Sequence, residues 1–254
     1  MNKAQTRQEE IRLLLNTTEK ISTEDLAEYF SVTTATIRSD IREMEEKGEV
    51  NRRNGLVSLV RPFVVDVATK EKIFVNASQK SRIAARAAQM VLPGDFVMMT
   101  SGTTIEAMAS QMQPKENLEV ITPSIVVAFM LAQKGGIGIN ILGGKLQMSS
   151  MSVRDNYSLK GLENIYCSKL FLGCDGFDLA TGVFTASIEE ARLTQAMMDA
   201  SHQTILLADS TKLRKTSLGR ICKIQDIDIL ITDSDIPEKT KEMLEDAGIR
   251  VEIV

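Results

Sequence analysis

The hydrophobic pattern of this chain changes its period once, near residue 61, and that change limits the chain to two unlike structural units. Before it, apolar residues recur every three or four positions: Ile11, Leu14 and Leu15, then Leu26, Ala27 and Phe30, then Ile37, Ile41 and Met44. Such spacing puts each set on one helical face and predicts three short helices. After residue 77, short apolar runs of strand length alternate with helical segments. Strands are expected at Phe96 to Met99, Leu118 to Thr122, Ile137 to Leu142, Lys169 to Cys174, Thr204 to Ala208, Ile229 to Thr232 and Arg250 to Val254. Helices are expected at Ile83 to Val91, Thr104 to Met112, Ile125 to Gln133, Glu189 to Ser201 and Pro237 to Ala247. Near-continuous apolar strands alternating with helices imply a largely parallel sheet covered on both faces, an α/β fold. A length of 254 residues accommodates a small N-terminal unit and a larger α/β one.

Local chemistry sharpens the first unit. Ser22 stands three residues before Asp25, as a capping start does, and Thr33 or Thr34 can cap the third helix. Gly48 ends that helix, and Asn54-Gly55 then lies between strand-like flanks. Asn-Gly is the strongest short hairpin signal, because both central residues of a type I′ turn need positive φ. Helices followed by a hairpin are the layout of a winged helix-turn-helix. Residues 1–60 are therefore read as that unit, 61–76, with Pro62, as a connector able to hold a short helix, and 77–254 as the α/β domain.

A helix-turn-helix reads double-stranded DNA with its second helix in the major groove. With Ile37, Ile41 and Met44 turned inward, Thr34, Thr36, Arg38, Ser39 and Arg42 face outward, and Thr33 precedes them at the cap. Arg38 and Arg42 are one turn apart and can reach phosphates or guanine edges together. Arg52, Arg53 and Asn54 fall at the hairpin tip, where a basic wing meets phosphate or the minor groove. The competing reading is a helical interaction domain whose arginines are a solvated face. The charge is local: residues 1–61 hold ten Lys or Arg against eleven Asp or Glu, and the whole chain carries −4. The acidic residues fall on the first helix, at the start of the second and in the Glu43 to Glu49 tail of the third, which can point away from DNA.

The run from Ser22 to Ile41, Ser-Thr-Glu-Asp-Leu-Ala-Glu-Tyr-Phe-Ser-Val-Thr-Thr-Ala-Thr-Ile-Arg-Ser-Asp-Ile, resembles the N-terminal signature of the DeoR family of bacterial transcriptional regulators. Two departures stand out. The family usually carries a second arginine where this chain has Ser39, and a Gly-Gly where it has Asn54-Gly55. Operator sequence and affinity are where such changes act.

In the larger unit, three clusters sit at carboxyl ends of expected strands, where open α/β sheets place ligands. Thr100, Ser101, Gly102, Thr103 and Thr104 precede a helix, so backbone N–H groups and the helix dipole can meet an anion such as phosphate. Asp175, Gly176 and Asp178 place two carboxylates three apart, suited to sugar hydroxyls or to acid–base work, though Asp-Gly is equally ordinary turn chemistry. Asp209-Ser210-Thr211-Lys212 adds a cation. Together with Gly143-Gly144 and Glu189-Glu190-Ala191-Arg192, these stretches fall in the order of the C-terminal domain of DeoR-type regulators, which is similar to sugar-phosphate isomerases of the ribose 5-phosphate type. That resemblance implies effector contacts from the Ser-Gly-Thr-Thr loop, Thr122 and Ser124, Gly143 and Gly144, Asp175 and Gly176, Glu190 and Lys212. Thr100 stands where many members have Asp, and Thr122-Pro123-Ser124 replaces a more common Thr-Asn-Ser.

The isomerase alternative is weighed on one position. Those enzymes follow the Asp-Gly-x-Asp motif with a lysine, and residues 179–187 contain none. Catalysis is not expected, nor is a cofactor. One histidine, His202, read as a helix-end residue, and three cysteines without Cys-x-x-Cys spacing supply no usual zinc site. The thirteen methionines read as packing, and the cysteines as unreactive. No apolar run reaches the length of a membrane span, and no leader pattern opens the chain, so a cytoplasmic protein without membrane partners is expected. The expected function is a transcriptional regulator, a repressor of a sugar catabolic operon, working as a homodimer or homotetramer and responding to a phosphorylated sugar or related intermediate.

Overall fold

In a computed structural model of the chain, residues 3–60, 63–64 and 72–254 are described. Two compact units emerge, Met1–Pro62 with the turn Asp178–Thr181, and Phe63–Phe177 with Gly182–Val254. Most of the connector expected over 61–76 lies outside the described residues.

The first unit runs α1 (Lys3–Thr17), β1 (Ile21–Ser22), α2 (Thr23–Tyr29), α3 (Thr34–Glu46), β2 (Val50–Arg53) and β3 (Leu56–Leu59). The three strands form an antiparallel sheet in the order β1-β3-β2. Ser22 Oγ accepts from the Asp25 N–H and Thr33 Oγ1 from the Thr36 N–H, so both helices begin on hydroxyl caps. Gly48 has φ 71°, and the bonds Gly48 N–H to Glu45 and Glu49 N–H to Met44 close α3 in the way a left-handed cap requires. Asn54 (φ 52°) and Gly55 (φ 78°) both take the positive φ that the hairpin turn demands. Of the expected inward set, Ile11, Leu15, Leu26, Ala27, Ile37, Ile41 and Met44 join Val57 in one buried cluster, and Leu14 and Phe30 pack against it half-buried. Arg7 to Asp40, Gln8 to Glu43 and Arg12 to Glu49 tie α1 to α3 and the wing around that cluster.

The larger unit begins with β4 (Phe63–Val64) and α4 (Ala77–Gln89). Next come β5 (Phe96–Met99), α5 (Thr103–Gln111), β6 (Glu119–Thr122), α6 (Ile125–Ala132), β7 (Gly138–Ile141), β8 (Leu146–Gln147), β9 (Ser152–Val153) and α7 (Asn156–Lys160). The chain then forms β10 (Cys167–Gly173), β11 (Gly176–Asp178), β12 (Gly182–Thr185), α8 (Ile188–Asp199) and β13 (Ser201–Leu207). It ends with β14 (Thr216–Ser217), β15 (Gly219–Cys222), β16 (Ile229–Thr232), α9 (Glu238–Asp246) and β17 (Arg250–Ile253). Seven strands make one parallel sheet in the order β17-β16-β13-β10-β5-β6-β7.

Strand alternation divides the sheet's apolar residues between its faces. Val97, Met99, Phe171, Ile205, Leu207, Ile229 and Ile231 join a cluster with Ile83 and Ala87 of α4, Ile105 and Met108 of α5, and Val127 and Leu131 of α6. The intervening Met98, Leu170, Leu172, Leu206 and Leu230 are buried as well, with α8 packed against β10 and β13. Burial on both faces explains why these strands read as continuous apolar runs. His202 corrects one expectation: it lies exposed on β13, its Nδ1 3.4 Å from the Tyr166 hydroxyl, because α8 ends before the strand begins. The smaller sheet β11-β12-β15 and the β8-β9 pair lay beyond the periodicity. Gly182, φ 105°, permits that smaller sheet, since a Cβ there would stand 2.1 Å from the Cys222 carbonyl oxygen.

The Pro93-Gly94 turn is fixed by Asp95, whose carboxylate accepts from the Leu92 N–H (2.7 Å), Ser168 Oγ (2.9 Å) and Lys169 Nζ (2.6 Å). Burial pushes its pKa up, but these donors outweigh burial and hold it below the usual range. A carboxylate with a depressed folded pKa stabilises above its unfolded pKa, about 3.9, and loses that contribution as pH falls through the folded value. Asp95→Asn is therefore expected to cost about 1–3 kcal/mol at pH 7 and to flatten the decline in stability below about pH 4. Urea unfolding between pH 3 and 7 checks this; an unchanged acid slope refutes it.

Candidate functional sites

The outward face of α3 carries Arg38, Ser39 and Arg42, all exposed, with Thr34 and Thr36 half-buried in its first turns. Thr33 and Thr36 share a hydroxyl contact of 2.9 Å, so part of their capacity is spent on the cap. Arg52, Arg53 and Asn54 are exposed at the wing tip. The acidic side chains do not all point away as expected. Arg38 lies 3.6 Å from Glu24, Arg42 3.3 Å from Glu46 and Arg52 3.9 Å from Glu45. These pairs arise because α2 and β2 pack on α3 and because positions four apart on a helix are neighbours. Exposed pairs of this kind are worth about 0–1 kcal/mol, little enough for a phosphate to displace.

In the larger unit, β13, β10 and β5 are adjacent strands, so their carboxyl ends bring the three polar clusters to one edge. A pocket opens there. Its wall includes Ser101, Gly102, Thr103, Thr104, Asp175, Glu190 and Lys212 from the sequence reading, and Lys72, Lys80, Ser150, Arg154 and Thr185 from outside it. Gly102 (φ 114°) begins α5 with no side-chain cap, leaving the N–H groups of its first turn without helical partners. Four cations, Lys72, Lys80, Arg154 and Lys212, face two carboxylates, Asp175 and Glu190, across this wall.

The charges are arranged tightly. Lys72 Nζ donates to Asp175 Oδ1 at 2.8 Å, and the same carboxylate accepts from the Ala186 N–H at 2.9 Å. Arg154, with its side chain 8% exposed, donates to Glu190 (3.1 Å) and Ser150 (2.9 Å), and its Nε is buried without a partner. Glu190 also accepts from Ser101 Oγ at 3.3 Å; burial raises its pKa against the pull of Arg154. The Lys80 ammonium donates to the Lys72 carbonyl at 2.6 Å. Burial and the neighbouring Lys212 lower its pKa, while Asp209 and Glu106 act the other way. Glu106 Oε1 and Asp209 Oδ2, both buried beside this cation, have no hydrogen-bond partner.

Thr100, Thr122, Ser124, Gly143, Gly144, Gly176 and Asp178 are not brought to the pocket wall. Thr100 Oγ1 accepts from the Gly173 N–H, joining β5 to β10. Thr122 and Ser124 are fully buried, Ser124 capping α6. Gly143 accepts from Ser158 Oγ, and Gly144 (φ 138°) gives Asp155 room, a Cβ there falling 2.5 Å from Oδ1. Gly176 lets β11 pass under Lys215, whose carbonyl oxygen would meet a Cβ at 2.3 Å. Asp178 takes the turn role instead of an acid–base one: its Oδ1 accepts from the Ala180 and Thr181 N–H groups. Burial also pushes the thiols of Cys167 and Cys222 up to about 11 and about 12, which suits packing and not reactivity. Among the described residues no helix is long and apolar enough to cross a membrane, and no three His, Cys, Asp or Glu could hold a metal ion.

Comparison with known proteins places these features in context. Residues 7–62 match the DeoR-like helix-turn-helix domain and residues 75–234 the DeoR C terminal sensor domain. The chain is 33% identical over 248 residues to the HTH-type transcriptional regulator YulB of Bacillus subtilis strain 168, spanning 98% of this chain and 96% of that protein. It is 27% identical over 233 residues to the glycerol-3-phosphate regulon repressor of Escherichia coli strain K12, spanning 92% of each. Among solved structures, ribose 5 phosphate isomerase A from Neisseria gonorrhoeae is similar over 59% of this chain and 56% of that one, with 15% identity and a TM-score of 0.39.

Proposed function

The chain belongs to the DeoR family of transcriptional regulators, and we propose that it represses a sugar catabolic operon, with its DNA affinity set by a phosphorylated sugar or related intermediate. The observation that carries the effector half is the pocket at the β5, β10 and β13 ends. An uncapped helix start beside Lys80 and Lys212 suits a phosphate. Asp175, Glu190 and Ser101 beside it suit hydroxyl groups. Arg38, Arg42 and the Arg52-Arg53-Asn54 wing are the DNA contacts, with Thr33, Thr34, Thr36 and Ser39 lining the reading helix. The protein acts in the cytoplasm as a homodimer or homotetramer, because paired heads supply the specificity that one small domain lacks.

Regulation requires that the effector bind one arrangement of the domains or subunits better than the other, since only that difference shifts DNA affinity. The reading favours a sensor over an isomerase: residues 179–187 offer no lysine, and Asp178 is committed to its own turn. A sugar phosphate should therefore bind and emerge unchanged.

The test is anisotropy titration of the full chain with duplex from its own promoter region, across chloride concentrations and with a panel of sugar phosphates. Affinity should fall about linearly on a log–log plot with salt, and one panel member should lower it further. Salt-independent binding, or none, refutes the regulator; release of an isomerised sugar refutes the sensor.

A further inference from the structure

We infer that Lys72 is an anion-operated latch, in which a ligand entering the pocket draws the ammonium groups of Lys72 and Lys80 away from Asp175 and the Lys72 carbonyl, and so loosens residues 72–76. Both of the bonds concerned converge on one residue. The side chain of Lys72 holds Asp175 at 2.8 Å, and its carbonyl oxygen accepts from Lys80 Nζ at 2.6 Å. That same carbonyl accepts from the Val75 N–H at 3.3 Å, closing the turn before α4. Asn76, with φ 53°, adds a third fastening through Nδ2 to Asp209 Oδ1 (3.0 Å) and Thr211 Oγ1 (3.1 Å). The residues that precede α4 are thus held by the wall of the pocket itself, and Lys72 and Lys80 belong to that wall.

Competition follows from charge. A phosphate carries about 1.5 to 2 negative charges near neutral pH, against one on Asp175 and none on a carbonyl. Placed at the open first turn of α5, it outbids both present acceptors for the ammonium groups of Lys72 and Lys80. Once Lys80 turns to the anion, the Lys72 carbonyl keeps only the long Val75 bond. Because residues 72–76 lead back in sequence toward the reading head, their fastening is a two-state element that pocket occupancy biases, which is what linkage requires. The inference rests on the pocket reading above and adds how occupancy leaves the pocket.

Hydrogen–deuterium exchange of the full chain, with inorganic phosphate as the probe and chloride at matched ionic strength as the control, tests it. Phosphate should raise the melting temperature and speed exchange of the 72–76 amides several-fold. Lys72→Met, at a partly exposed position, should exchange faster there without phosphate and respond less when it is added, because only the Lys80 bond to the residue 72 carbonyl is left to release, and its melting temperature should rise by less than the wild type's. If phosphate stabilises the protein but leaves exchange at 72–76 unchanged or slower, or if Lys72→Met keeps the full response, the latch is wrong and the pocket stands. If phosphate does not stabilise the protein at all, the pocket reading fails first.

Discussion

Replacing Arg38 and Arg42 together with alanine is expected to weaken binding to the promoter duplex by about 30- to 10⁴-fold, at about 1–3 kcal/mol for each arginine removed. The size follows from how few cations the head presents. Its sequence is acidic by one charge, so no diffuse positive field compensates for a missing arginine. Both guanidinium groups are exposed, with side chains 58% and 80% accessible, and their present partners Glu24 and Glu46 are exposed too. Removing them should leave the fold nearly untouched, within about 0.5 kcal/mol, since exposed pairs contribute little. Where the two arginines meet phosphate, the slope of log K against log salt should shrink by about two; where one reads a guanine, discrimination at that base pair should relax instead. Unchanged affinity in the double variant would remove α3 as the reading helix. A companion outcome sharpens the point: Glu24→Gln should tighten binding, because it frees Arg38 without altering the helix.

The parts of this protein legible in its sequence are those set by neighbours along the chain. Ser22, Thr33, Gly48 and Asn54-Gly55 act within four residues of themselves, so their chemistry alone locates two helix starts, one helix end and the wing. The five inner strands of the parallel sheet were readable because burial on both faces leaves little choice but apolar runs, whereas the edge strands β7 and β17 are only half-buried or exposed. The start of α4 was less so: Ala77 to Lys80 adds a turn before the first periodic residue, Ile83. What could not be read was distance across the fold. Lys72 meets Asp175 from 103 residues away and Arg154 meets Glu190 from 36. Lys72 and Lys80 had no motif to flag them. The only available signal was lysine inside or just before an otherwise apolar helical face, an unfavourable place for a charge unless it is used. The glycines carry a second, structural reason for their place. Gly144 and Gly176 resemble ligand-binding positions, yet each is required by a side chain or carbonyl that a Cβ would strike.

Lys80→Met is expected to remove half or more of the response to phosphate while leaving the ligand-free protein at least as stable as before. Lys80 is 5% exposed, and its pKa is lowered first by burial and then by Lys212, so the folded chain binds this proton less tightly than the unfolded chain does. The sign follows from linkage. Below the folded pKa the charged form is penalised in the native state, and the penalty disappears only as pH rises past the unfolded value, about 10.4. Methionine keeps the stem and discards the charge, while Glu106, whose pKa burial already raises, can meet the loss of its neighbour by taking a proton. In the wild type, phosphate at about 100 times its Kd should add about 2.7 kcal/mol, or roughly 5–10 °C at about 2–4 °C per kcal/mol. Losing one charge-assisted hydrogen bond, about 1.5–3 kcal/mol, weakens binding about 10- to 100-fold. That leaves about 0.4–1.4 kcal/mol at the same concentration. A shift equal to the wild type's would place the anion away from Lys80, whereas a loss of both the shift and the basal stability would make this lysine a structural cation and not a sensor. The expected split, stability kept and response reduced, is the signature of a buried charge retained for its ligand.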